Sequence, residues 1–117
     1  MYNNKTFAST SNNPNGEVSA STIFHYKQDD SIVTASYSGG SIVKGSVIAK
    51  VLNANGDLDM RYHHVNTSGE LMTGQCLSTA ETLDDGRIRL HEKWTWTSGD
   101  RSSGESVVEE VKDWKTI

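Results

Sequence analysis

Hydrophobic and polar residues alternate along much of this chain. In the stretch RIRLHEKWTW (87–96), one set of alternate residues is Ile88, Leu90, Glu92, Trp94 and Trp96, and the other is Arg89, His91, Lys93 and Thr95. A period of two is the mark of a β-strand with one face in water and one in an interior. Turn-rich stretches separate such runs: NNPNG at 12–16, KQDDS at 27–31, SGG at 38–40, NANG at 53–56, NTSGE at 66–70, LDDG at 83–86 and SGDRSSGE at 98–105. Short runs of Val, Ile, Thr, Tyr and Trp between them, roughly 8–12 residues apart, predict an all-β sandwich or barrel. The seven turns leave eight segments joined by hairpin-length loops. That is a meander, and it predicts an eight-stranded antiparallel up-and-down barrel whose first strand closes against its last.

The faces follow from turn lengths, because a one-residue slip sends every side chain to the wrong side. A two-residue turn at Asn55-Gly56 sets Leu58, Met60, Tyr62 and His64 on one face with Val51, Ala49, Val47, Gly45 and Val43. A three-residue turn at Ser68 puts Tyr62 opposite Gly74, with Met72 and Cys76 alongside. A loop at Asp84-Asp85-Gly86 carries that face on to Leu90, Glu92, Trp94 and Trp96. A loop at Ser38-Gly39-Gly40 adds Tyr37, Ala35 and Val33. The earlier segments supply Tyr26, Phe24, Thr22, Ala20 and Phe7, so every aromatic except Tyr2 joins one interior. The opposite face, with Asp59, Arg61, His63, Thr73, Gln75, Arg89, His91 and Lys93, belongs in water, unlike the apolar exterior of an outer-membrane barrel.

The segment 105–115 reads two ways. As a helix, Ser106 and Glu109 make a capping box and Val107, Val108, Val111 and Trp114 a stripe. As a strand it points Val108, Glu110 and Trp114 inward. The strand is favoured, because a barrel of seven strands would leave an open edge.

A chain of 117 residues is expected to form one domain, 1–117, around a single core. The net charge of −4 argues against nucleic acid and anionic membranes as partners. No apolar run is long enough to span a bilayer, and MYNNKTFAST lacks the regions of a signal peptide. The lone cysteine, Cys76, permits no internal disulfide and fits a reducing compartment, so a cytoplasmic location is expected. On the outer face, Ile23, Ile32, Ile42 and Ile48 fall on neighbouring strands and suggest a homodimer contact.

With LDMRYHHVNTSGELMTGQC and DGRIRLHEKWTWTSGD in view, the chain resembles a group of small bacterial proteins labelled N-acetylglutamate synthases and grouped with avidin-like or calycin-like barrels. The resemblance runs from TIFHYKQ through GESVVEE and implies an eight-stranded avidin- or lipocalin-like barrel. It implies no catalytic residues. The enzyme label itself would call for a pyrophosphate loop ahead of a helix. RSSGES supplies Arg101 and Gly104 but has Ser106 in the last position, and residues 1–97 offer none of the early helices such a fold needs.

The candidate chemistry lies on the inner face. Small residues (Ala35, Gly45, Ala49, Gly74, Cys76, Ser78) alternate by strand with large rings, so either the rings fill the barrel or a pocket remains. Glu92 is the inner face's anomaly, since a lone ionised carboxylate there must be paired, protonated or facing a wet cavity. If Trp96 faces Ser106, then Glu92 faces Glu110 and the two share a proton. The alternative is a glutamate at the rim bonded to a backbone amide or to an arginine such as Arg87. His63 and His64 point to opposite faces and cannot bind one metal together. A zinc site from His64, Cys76 and Glu92 is disfavoured because His64 lies about two rungs from Cys76. No metal or cofactor is therefore expected.

The leading expectation is a small organic ligand held by Tyr37, Tyr62, His64, Trp94 and Trp96, with Glu92, alone or together with Glu110, as the polar anchor. The alternatives are proton transfer by Glu92 with Glu110 or His64, and a filled barrel that acts through its surface.

Overall fold

A computed structural model describes residues 1–10 and 17–112. Eight strands form a closed antiparallel barrel in chain order: β1 (Lys5–Ser9), β2 (Ile23–Asp29), β3 (Ile32–Gly39), β4 (Ile42–Val51), β5 (Leu58–Asn66), β6 (Leu71–Thr82), β7 (Ile88–Trp96) and β8 (Ser103–Glu110). Each pairs with the next, and β1 pairs with β8. The segment read as strand or helix is strand over 103–110, and closure leaves the barrel without an unpaired edge. The NNPNG turn and Trp114 lie outside the described residues.

The alternation read from the sequence holds through the middle of the barrel. Val47 pairs with Tyr62, Ala49 with Met60 and Val51 with Leu58. Tyr62 pairs with Gly74 and Met60 with Cys76. Trp94 pairs with Cys76 and Leu90 with Ala80. Rings and glycines are matched across strands. A Cβ on Gly45 would meet the Tyr37 ring, one on Gly74 the Tyr62 ring, and one on Gly104 the Trp94 ring, each far inside contact distance. The rings lie flat over the bare backbone opposite, which a side chain there would prevent.

Four expectations are corrected. Ala20, expected inside, is exposed in the turn before β2, where the period of two has not begun. Tyr2, left out of the interior, is fully buried: the chain before β1 folds over the barrel end, and its hydroxyl donates to the Gly56 carbonyl. The third correction concerns a β-bulge in β4. Its register slips between Ile42 and Lys44 against β5 and between Tyr37 and Gly39 against β3. The extra residue makes Val43 and Lys44 both face outward, so Val43 is exposed and Ile42 enters the core. The isoleucine patch shrinks accordingly: Ile32 and Ile48 are exposed, Ile23 is half-buried and Ile42 is core.

The fourth concerns β8. Trp94 pairs with Gly104, Glu92 with Ser106 and Leu90 with Val108. This is four residues, roughly 13 Å of strand, from the pairing that would oppose Glu92 to Glu110. Thr97 donates its amide to the Thr73 carbonyl, and Ser98 Oγ accepts the Thr73 amide, so the 97–102 connection is tied to β6. Because the slip is an even number, Glu110 still points inward, but at the far end of the barrel.

The two ends differ. At the end carrying the β2–β3, β4–β5 and β6–β7 turns, Tyr2, Phe7, Val33, Leu58, Leu90 and Val108 are all but completely buried. Tyr2 packs on Phe7 and Tyr26 with ring centroids 6.3 and 5.9 Å apart. At the other end, which carries the β3–β4 and β5–β6 turns, the described residues leave a space in the interior.

Candidate functional site

A cavity occupies the half of the barrel away from Tyr2. It leaves about 60 Å³ of space open to the centres of water molecules, several times the roughly 10–15 Å³ that one water needs. Its walls include Tyr37 on β3, Tyr62 and His64 on β5, and Trp94 and Trp96 on β7. The structure therefore brings together around one space all the aromatic and histidine residues expected there, with Glu92. The choice between a filled and a hollow barrel has a mixed answer: the rings cover the glycines, and space remains between them.

Glu92 forms part of the cavity's inner surface. It is partly accessible, yet protein surrounds it on all sides, so the surface it exposes is the cavity's own. Ser78 Oγ donates to Glu92 Oε2 at 3.1 Å and Ser106 Oγ to Oε1 at 3.4 Å. Burial pushes its carboxyl up to about 7, against the two hydroxyls, which favour the charged form. Burial likewise lifts the Tyr26, Tyr37 and Tyr62 hydroxyls and the Cys76 thiol well above their ordinary values, and the Glu92 charge adds to each. Cys76 is thus a poor nucleophile at neutral pH.

Nearer the mouth a second polar group forms around His64. Its Nδ1 lies 2.8 Å from the Tyr37 hydroxyl and its Nε2 lies 2.6 Å from Glu17 Oε1. With Nε2–H donating to the carboxylate, a neutral ring leaves Nδ1 to accept the Tyr37 proton. Asn66 Nδ2 donates to the other Glu17 oxygen at 3.0 Å. Glu17 and Val18 precede β2 and line the cavity. Neither was legible as a site residue, because strand alternation assigns no face to a residue in a long connection. Ser78 was on the predicted inner face, and only the corrected β8 register brings Ser106 to Glu92.

Glu110 is separate from this site. It is buried at the closed end, where Oε1 accepts the Ile88 amide at 3.2 Å and Oε2 pairs with Lys5 Nζ at 3.1 Å. The expected shared proton between Glu92 and Glu110 is therefore overturned. Among the described residues no cluster of three His, Cys, Asp or Glu side chains is arranged to hold a metal ion. His63 is exposed and His64 buried. Arg101 and Gly104 do not precede a helix, since 103–110 is strand. Among the described residues no helix is long and apolar enough to cross a membrane.

Fold and cavity together define a small up-and-down barrel of the avidin/lipocalin type, with an aromatic-lined space at one end. The profile of one family, described as avidin-like protein, matches residues 1–111, and the chain belongs to that family. No curated protein and no solved structure matches it.

Proposed function

We propose that the protein binds a small organic ligand inside the barrel, between Tyr37, Tyr62, Trp94 and Trp96, with Glu92 as the polar anchor and His64 toward the mouth. The observation that carries this reading is a carboxylate facing a cavity, whose hydrogen-bond partners among the described residues are the Ser78 and Ser106 hydroxyls. A filled barrel that acted through its surface would have little use for such a group. Mostly apolar walls with a few convergent polar atoms are the usual make-up of a ligand site.

The test is thermal unfolding of the wild type and Glu92→Gln against a panel of small metabolites that includes acetyl-coenzyme A and glutamate. A bound ligand at a hundredfold excess over its Kd stabilises by about 2.7 kcal/mol, and that gain should shrink in Glu92→Gln. If no compound moves the wild-type midpoint, the reading falls.

One observation favours a second reading. A carboxyl that titrates at about 7 beside an open space is suited to proton transfer on a small substrate. His64 would not act with it directly, since its ring nitrogens are engaged by Tyr37 and Glu17. Turnover of a stabilising compound, lost in Glu92→Gln, would select this reading over simple binding. Turnover of acetyl-coenzyme A in the presence of glutamate would support the acetyltransferase label.

A further inference from the structure

The charge on the cavity wall narrows the class of ligand. Among the described residues its lining includes two carboxylates, Glu17 and Glu92, and no lysine or arginine. Its one imidazole, His64, is held between Glu17 and Tyr37. Elsewhere in the same barrel an inward glutamate is matched by the chain itself, Glu110 by Lys5. Glu92 has two hydroxyl donors, whereas an ionised carboxylate offers about four acceptor sites.

The walls add a second, independent preference. Around Trp96, the rings of Tyr62, His64 and Trp94 have centroids 5.8, 5.7 and 5.9 Å away, all tilted or edge-on to it. A cation within about 6 Å of such ring faces is attracted to them, more strongly when it is desolvated.

Resting on the binding function proposed above, we infer that the ligand is a small organic ammonium ion, its nitrogen toward Glu92, Ser78 and Ser106 and its carbon body against Tyr62, Trp94 and Trp96. An anionic ligand would meet Glu92 with no cation to offset it. A neutral alcohol would satisfy the free acceptors but leave the buried charge unmatched. The cavity volume limits the enclosed part to a few heavy atoms, with any longer chain leaving past Glu17 and Val18.

The pH dependence follows. A cation binds the ionised form of Glu92, so affinity rises about tenfold per pH unit up to about 7 and then levels. The other titratable groups that interact with the Glu92 charge include Tyr2 ahead of β1, Tyr26 on β2, Tyr37 on β3, Tyr62 on β5 and Cys76 on β6, all kept protonated by burial. His64 and Glu17 line the same cavity, and Glu92→Gln separates their contribution from that of Glu92.

The experiment is calorimetric titration of the intact protein with a matched series of amines and alcohols, from methylamine and methanol to cyclohexylamine and cyclohexanol, at pH 6 and pH 8. One or more amines should bind at least tenfold more tightly than the matching alcohol at pH 8. That preference and its pH slope should vanish in Glu92→Gln. Equal or tighter binding of the alcohols overturns the ammonium assignment and leaves the cavity a ligand site. Binding by no member of either series also overturns it, and the metabolite panel then decides separately whether the cavity binds anything.

Discussion

Two glutamates point into this barrel from neighbouring strands, one toward each end. Glu110, at the closed end, is buried, accepts a backbone amide and pairs with Lys5. Glu92, midway along β7, has two serine hydroxyls and a cavity. The same side chain is a structural clamp in the first place and an unmatched charge in the second. The difference lies in what the chain supplies around each carboxylate. Where it supplies a cation and an amide, the glutamate holds strands together; where it supplies only hydroxyls, space is left for something else.

The closed end should respond to truncation most strongly. Leu90→Ala removes a fully buried side chain where little can collapse to fill the gap, and should cost roughly 2–5 kcal/mol in chemical denaturation. A cost below about 1 kcal/mol would mean that this end is not packed as described.

Glu92→Gln should act in the opposite direction, and only above a certain pH. The folded carboxyl titrates at about 7 against an ordinary value of 4.5, so the folded state holds its proton more tightly than the unfolded one. The stability this contributes is fully present below about pH 4.5 and is lost as pH rises through about 7. Glutamine mimics the protonated form without titrating. The variant should therefore match the wild type at pH 4 and exceed it at pH 8 by up to about 3 kcal/mol. Urea denaturation of both proteins across that range measures the difference. A variant less stable than the wild type at pH 8 would mean that the Glu92 charge is matched within the protein.

Glu110→Ala sharpens the contrast with the smallest effect. It leaves the Ile88 amide without its acceptor and Lys5 without its partner, and should cost about 1–3 kcal/mol, mostly from the amide. The Lys5 pairing adds less, because its ammonium reaches solvent. Thermal unfolding near neutral pH gives the sign: Glu110→Ala should lower the midpoint, and Glu92→Gln should not.

Much of this was legible in the sequence. The alternation in 87–96 and its counterparts set which side chains point inward, because strand geometry leaves only two faces. The NANG turn then kept β4 and β5 in step, although it is a four-residue turn over 53–56, with Leu52 meeting Asp57, and not the two-residue Asn55-Gly56 turn read from the sequence; the even difference leaves the same side chains inward. The eight-stranded closure and the aromatic interior follow from those two facts.

What needed the tertiary structure has one physical cause: longer connections and bulges carry no periodic signal. The 97–102 connection is anchored by Thr97 and Ser98 to Thr73 of another strand, so no local pattern could reveal that Glu92 meets Ser106 rather than Glu110. A single extra residue in β4 exchanged Ile42 for Val43 in the core. Glu17 comes from a connection without alternation and reaches His64 across the barrel mouth. Alternation alone established that Glu92 points inward. Only the packed barrel determined that it faces a cavity with two hydroxyls, and no cation among the described residues, beside it.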